Sequence, residues 1–250
     1  MLGSQESPKI ATLSLFLPRT RLFFVRHKSL EVRSHSYRAV ASYVVGQHER
    51  GRVLVLGGPS CVGKTTLQRL LSRNDFNSSI EFRPLLTCTT RLPRRGETDG
   101  IDYRFMTQEA YDAAGPDMEE RTCYNGIRYG TLREDLDKAA HAPPHVITVA
   151  ALDAVGLHFF RRRFGGAESG RILGVFLKAS LPTLEARLQA RGTDSLIIAQ
   201  RLSHAASTEL TPEYERLFES KVCNENGQDL SFTRELLDSI CKDWLRLVKV

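Results

Sequence analysis

The 250-residue chain has no apolar run approaching the roughly 18 to 20 residues that a membrane-crossing helix needs, which argues against a membrane partner. Its five cysteines (61, 88, 123, 223 and 241) are scattered, with no C-x-x-C pair and no metal-ligand spacing. That pattern excludes a disulfide scaffold and a cysteine-based zinc site, and it fits reduced thiols in a reducing compartment. No internal repeat or low-complexity tract is present. Acidic residues are scarce at the start, where residues 1–50 carry eight Lys or Arg against three Glu, a net of +5. The whole chain, with 35 basic and 29 acidic residues, nets +6, so residues 51–250 contribute only +1. The basic balance therefore belongs to the extension, and the rest lacks the basic face of a nucleic-acid-binding domain. A hydrophobic content of 41% is ordinary for a globular core.

Residues 58–65 read GPSCVGKT and match the phosphate-binding pattern G-x-x-x-x-G-K-[ST] through Gly58, Gly63, Lys64 and Thr65. The context supports the motif. Residues 52–56 (RVLVL) suit a buried parallel strand, and residues 65–72 place Leu67, Leu70 and Leu71 at helical spacing. Strand, glycine loop and helix come in the order that turns backbone N–H groups and a helix start toward phosphate. Gly58, Pro59, Ser60, Cys61, Val62, Gly63, Lys64, Thr65 and Thr66 are thus the candidate ATP-binding loop. Lys64 would reach the β- and γ-phosphates, and the Thr65 hydroxyl would ligate magnesium. Cys61 stands where many such loops carry glycine, at some cost in backbone freedom.

A second run, residues 89–105 (TTRLPRRGETDGIDYRF), gathers Arg91, Arg94 and Arg95 around the stiffening Pro93. Arginine makes forked contacts to phosphate oxygens, so beside a P-loop these side chains read as a clamp for a second anionic ligand. Two phosphate sites in one small chain point to phosphoryl transfer between nucleotides.

With GPSCVGKTT, TTRLPRRGETDGIDYRF and GIRYGT (126–131) in this order, the chain resembles the guanylate kinase family from about residue 52 to about 245. The resemblance implies magnesium-dependent transfer from ATP to GMP. It places Arg91, Arg94, Tyr103 and Tyr129 on the GMP phosphate. Thr87, Glu120, Thr131 and Asp153 would line the guanine pocket. Arg187, Arg191 and Arg201 would be lid arginines acting with Lys64 and Arg91 in catalysis. One departure matters. The family's D-x-D-x-Q-G run reads ALDAVG here (151–156), so Ala151 replaces a carboxylate that normally sits near the magnesium shell.

The alternation of strands and helices behind a P-loop predicts an α/β three-layer fold with a parallel sheet. Strands are expected at 52–57, 85–88, 146–149, 171–177 and 221–223. Helices are expected at about 65–74, at 131–140 with Thr131 as N-cap, and twice within 181–217, meeting at 192–194. Leu236, Leu237, Ile240 and Trp244 predict a packed C-terminal helix. Asp153 falls just past a strand's carboxyl end, where open α/β sheets bind ligands. By the resemblance, residues 51–250 form the kinase-like domain, with a small sheet-based GMP-binding subdomain at about 85–130 and a helical lid at about 185–205.

Residues 1–50 are Ser-, Arg- and His-rich, with an apolar run from Leu22 to Val25 between Arg21 and Arg26. That composition marks an organelle transit peptide, most plausibly mitochondrial, and a tail on a cytoplasmic protein fits it equally. Two other functional readings stay open from sequence. One is a guanylate-kinase-like module that binds GMP or a protein ligand without turnover, which Ala151 favours. The other is a P-loop kinase acting on a phosphorylated sugar.

Overall fold

The computed structural model describes residues 51–73, 79–124, 126–166, 169–226 and 229–248, together with two strand pieces at 14–15 and 23–24. The remainder of the basic extension, and with it the targeting expectation, lies outside the described residues.

Eleven strands form two sheets among the described residues. The larger holds β1 (Ser14–Leu15), β2 (Phe23–Phe24), β3 (Arg52–Gly57), β4 (Glu81–Pro84), β9 (Val146–Ala151), β10 (Ile172–Lys178) and β11 (Ser220–Cys223) in the order β2-β1-β11-β10-β3-β9-β4. Its five strands from β11 to β4 are parallel, and β1 and β2 pair antiparallel at the edge. The smaller sheet runs β6-β5-β8-β7, built from β5 (Cys88–Thr89), β6 (Arg104–Phe105), β7 (Met118–Tyr124) and β8 (Ile127–Leu132).

Parallel strands buried on both faces read as continuous apolar runs, and β3 shows why. Successive side chains point to opposite faces. Leu54 and Leu56 pack with Leu67 and Leu71 of α1 (Lys64–Leu71) and with Leu237, Ile240 and Trp244 of α8 (Leu230–Val248). Val53 and Val55 pack on the other side with Leu136 of α3 (Arg133–Ala140) and Leu157 and Phe160 of α4 (Ala154–Arg163). Helix, sheet, helix is the expected three-layer arrangement. Gln68, the buried polar residue of α1, donates to the Val149 carbonyl at 2.7 Å and so fixes α1 over β9. None of the described helices is long and apolar enough to cross a membrane. The remaining helices are α2 (Gln108–Ala113), α5 (Leu181–Ala190), α6 (Ser195–His204) and α7 (Pro212–Glu215).

Three sequence expectations are corrected. The strand foreseen at 85–88 is displaced: the core strand is β4, and Leu85 makes one further bond to Val149 (2.8 Å) before the chain crosses to the small sheet at Cys88. Thr131 is not a helix cap. It lies in β8 opposite Glu120, its hydroxyl is committed to that residue, and α3 begins at Arg133 after Leu132. The region 181–217 holds more than two helical pieces, because a π turn at Ala205–Glu209 and α7 follow α6. The turn between α5 and α6 falls where Gly192 adopts φ 72° and Asp194 caps α6 by accepting from Leu196 N at 2.9 Å.

Candidate active site

The P-loop leaves β3 at Gly57 and enters α1 at Lys64. Two of its glycines are required by geometry. Gly58 has φ 125°, and a Cβ there would lie 2.2 Å from the Leu177 carbonyl oxygen; Gly63 has φ 107° and packs against Asn224. Cys61, at φ 66°, is the only non-glycine residue with positive φ among the described residues. An L side chain in that conformation costs about 1–2 kcal/mol. The Lys64 ammonium donates to the Gly58 and Pro59 carbonyls, the latter at 3.0 Å, and burial pulls its pKa below the usual lysine value.

The arginine loop closes the cavity from the small sheet. Arg91 makes a forked pair with Glu97, at 2.6 and 2.8 Å, and its guanidinium lies 4.9 Å from the Tyr103 ring centroid and 5.5 Å from that of Phe105. Burial would raise the Glu97 carboxyl, but the bonds from Arg91 and the Arg94 backbone amide hold it below its ordinary value. Arg94 is freer and half-exposed; burial, Arg91 and Arg191 depress its pKa. Tyr103 lines the same cavity as Thr65 of the donor loop, and burial raises its pKa.

The deepest acid is Glu120, 2% exposed on β7. Thr131 donates to its Oε2 at 3.0 Å, while Oε1 is buried with no partner. Burial pushes its pKa up to about 7, against the Thr131 bond and with help from Asp153.

The guanylate kinase family model matches residues 50–232. The chain is 33% identical over 192 residues to the guanylate kinase of Leifsonia xyli, covering 76% of this chain and 70% of that one. It is 36% identical over 174 residues to that of Gloeobacter violaceus, covering 68% and 78%. The chain belongs to the guanylate kinase family. The crystal structure of the Anaplasma phagocytophilum guanylate kinase shares the fold, with a TM-score of 0.54 at 20% identity, covering 78% of this chain and 86% of that chain.

Against the guanylate kinase expectations, one cavity brings together Gly58, Ser60, Cys61, Val62, Gly63, Lys64, Thr65 and Thr66 with Thr87, Arg91, Arg94, Tyr103, Glu120, Tyr129, Asp153 and Arg191. Four expected residues lie off its wall. Pro59 contributes its carbonyl to Lys64, and Thr131 stands behind Glu120. Arg187 sits outside the loop, donating to the Val62 carbonyl at 3.3 Å and to Asn226 at 3.0 Å. Arg201 reaches the Ser60 hydroxyl at 3.3 Å.

Four residues that motif reading passed over also belong here. Glu97 holds Arg91. Thr122 donates to Asp153 Oδ2 at 3.1 Å. Tyr124 and Glu209 line the cavity, the Tyr124 hydroxyl buried without a partner and its pKa raised by that burial. Glu97 was visible six residues after Arg91 within the quoted run. Nothing in sequence spacing marks Glu209, because a π turn aims it.

Proposed function

We propose that this cavity transfers the γ-phosphoryl group of ATP to the phosphate of GMP, giving ADP and GDP. The carrying observation is Glu120: a carboxylate with one oxygen braced by Thr131 and the other bare, facing the same cavity as the P-loop. Guanine presents N1–H and the N2 amino group side by side, two donors that one carboxylate accepts together. Adenine lacks both and would leave the acid buried and unpartnered, which rejects an analogue by roughly 10⁴ to 10⁵. A phosphorylated sugar has hydroxyl donors but not this flat, adjacent pair of N–H groups.

Phosphoryl transfer asks mainly for alignment and charge neutralisation. On the donor side, loop N–H groups and Lys64 would cradle the ATP phosphates. On the acceptor side, Arg91, Arg94, Tyr103 and Tyr129 would hold the GMP phosphate, with Arg91 pre-set by Glu97. Thr87 and Asp153 would border the base. Arg191 faces the cavity beside Arg94, and Arg187 and Arg201 would have to leave their present partners to reach phosphate. No general base is needed, since the attacking phosphate oxygen is already anionic.

Magnesium takes oxygen donors and usually shares its shell with substrate phosphates. The wall fits that role: Thr65 supplies a hydroxyl, Asp153 and Glu209 are the nearby acids, and no group of three or more His, Cys, Asp or Glu among the described residues could hold a metal unaided. Mg2+ held at Thr65 would neutralise charge on the β- and γ-phosphates.

A coupled assay of the full chain should show ADP formation that depends on GMP and is absent with AMP or ribose phosphate. ADP formation indifferent to GMP would refute the acceptor assignment.

A further inference from the structure

The described residues place three carboxylates on the cavity wall, and only one of them is both uncommitted and on the donor side. Glu120 belongs to the small sheet. Asp153, at the start of α4, has both oxygens in use: Oδ1 accepts from Gly156 N at 2.8 Å and Oδ2 from Thr122 at 3.1 Å. Glu209 differs. It is 5% exposed, ends the π turn after α6, and has a buried Oε2 with no hydrogen-bond partner. A buried carboxylate without a partner is expensive unless a cation neutralises it. Lys64 feels its charge, but no ion pair joins the two; the lysine donates to Gly58 and Pro59 instead. Ala151, at the end of β9, lines the same cavity and brings a methyl group where a carboxylate could stand. π turns recur at functional positions because the extra residue re-aims a side chain.

We propose that Glu209 is the carboxylate that faces the divalent cation accompanying ATP, serving from the turn after α6 where position 151 supplies none. This rests on the phosphoryl-transfer reading above. It makes the two positions interchangeable: a carboxylate at either place on the cavity wall would meet the same cation.

The test uses full-length protein, a non-hydrolysable ATP analogue and Mn2+ as the probe, followed by electron paramagnetic resonance. Glu209→Gln should weaken Mn2+ binding to the analogue complex by about tenfold or more while leaving metal-free analogue affinity unchanged. Adding Ala151→Asp to that variant should restore most of the Mn2+ affinity. In metal-free buffer Glu209→Gln should melt no lower than wild type, since it removes an unpaired buried charge, and it should lose the extra stabilisation that Mn2+ with analogue confers. Unchanged Mn2+ affinity in Glu209→Gln would overturn the proposal. So would an equal loss of metal-free analogue affinity, which would make Glu209 a counter-ion of Lys64. Wild-type protein that binds no analogue at all would instead overturn the donor site itself, and this inference with it.

Discussion

Thr131 donates its hydroxyl to one oxygen of Glu120 at 3.0 Å across the β7–β8 pair, and the other oxygen of the same carboxylate is buried with nothing to accept from. The arrangement is half of a hydrogen-bonded pair waiting for donors. A hydrogen bond to a charged group contributes about 1.5–3 kcal/mol, so two such bonds to guanine amount to roughly a hundredfold or more in affinity. Glu120→Gln should therefore cut GMP efficiency by about that factor and leave ATP affinity alone. Steady-state kinetics with each substrate varied in turn would check it; equal losses for both would move base recognition elsewhere.

The same carboxylate makes a pH prediction. Its folded pKa, about 7, lies above the ordinary 4.5. An acid with a raised folded pKa binds more protons when folded, so its cost to stability is absent below pH ~4.5, grows as pH climbs to about 7, and is then constant. Glu120→Gln should thus gain stability relative to wild type across pH 4.5 to 7, read as a widening gap in melting temperature. A gap independent of pH would mean the acid is solvated.

Glu97 should act through Arg91. Removing its charge with Glu97→Gln frees a guanidinium now held by two short bonds and two aromatic faces. The Michaelis constant for GMP should rise by about tenfold, an order typical of groups that orient a ligand-binding side chain. The constant for ATP should stay within about twofold, and a matching rise there would show a general loss of fold.

Cys61→Gly relieves a left-handed backbone at a cost of some chain entropy. The strain of about 1–2 kcal/mol exceeds the 0.5–1 kcal/mol that glycine loses on folding. A net gain of about 0.5–1 kcal/mol should raise the melting temperature by roughly 1–4 °C. A lower melting temperature would show that the thiol contributes packing that outweighs the strain.

What sequence made legible is local chemistry, and what it hid is partnership across the fold. The P-loop was readable because glycine, lysine and threonine act on phosphate through their own backbone and immediate side chains. Arg91 was readable as a phosphate-binding type, but its orientation depends on Glu97 six residues on. Thr131 has the composition of a cap, and only the strand register that sets it opposite Glu120 shows where its hydroxyl goes. Leu85 looked like a core strand because it is apolar, yet the strand ends at Pro84 and the chain turns toward the small sheet. Glu209 depends on a turn whose extra residue no local spacing announces.

Lys64→Ala should reduce transfer by about 10²- to 10³-fold, the scale of losing one preorganised group that meets developing charge. Circular dichroism should be unchanged, since the lysine bonds only two loop carbonyls. Turnover above a tenth of wild type would contradict the donor-site assignment.

The most direct measurement follows phosphorus resonance while the full chain is mixed with magnesium ATP and GMP. The account predicts that ADP and GDP appear in equal amounts, with almost no inorganic phosphate, and that AMP in place of GMP gives neither product. Release of inorganic phosphate without GDP, or equal transfer to AMP, would contradict it.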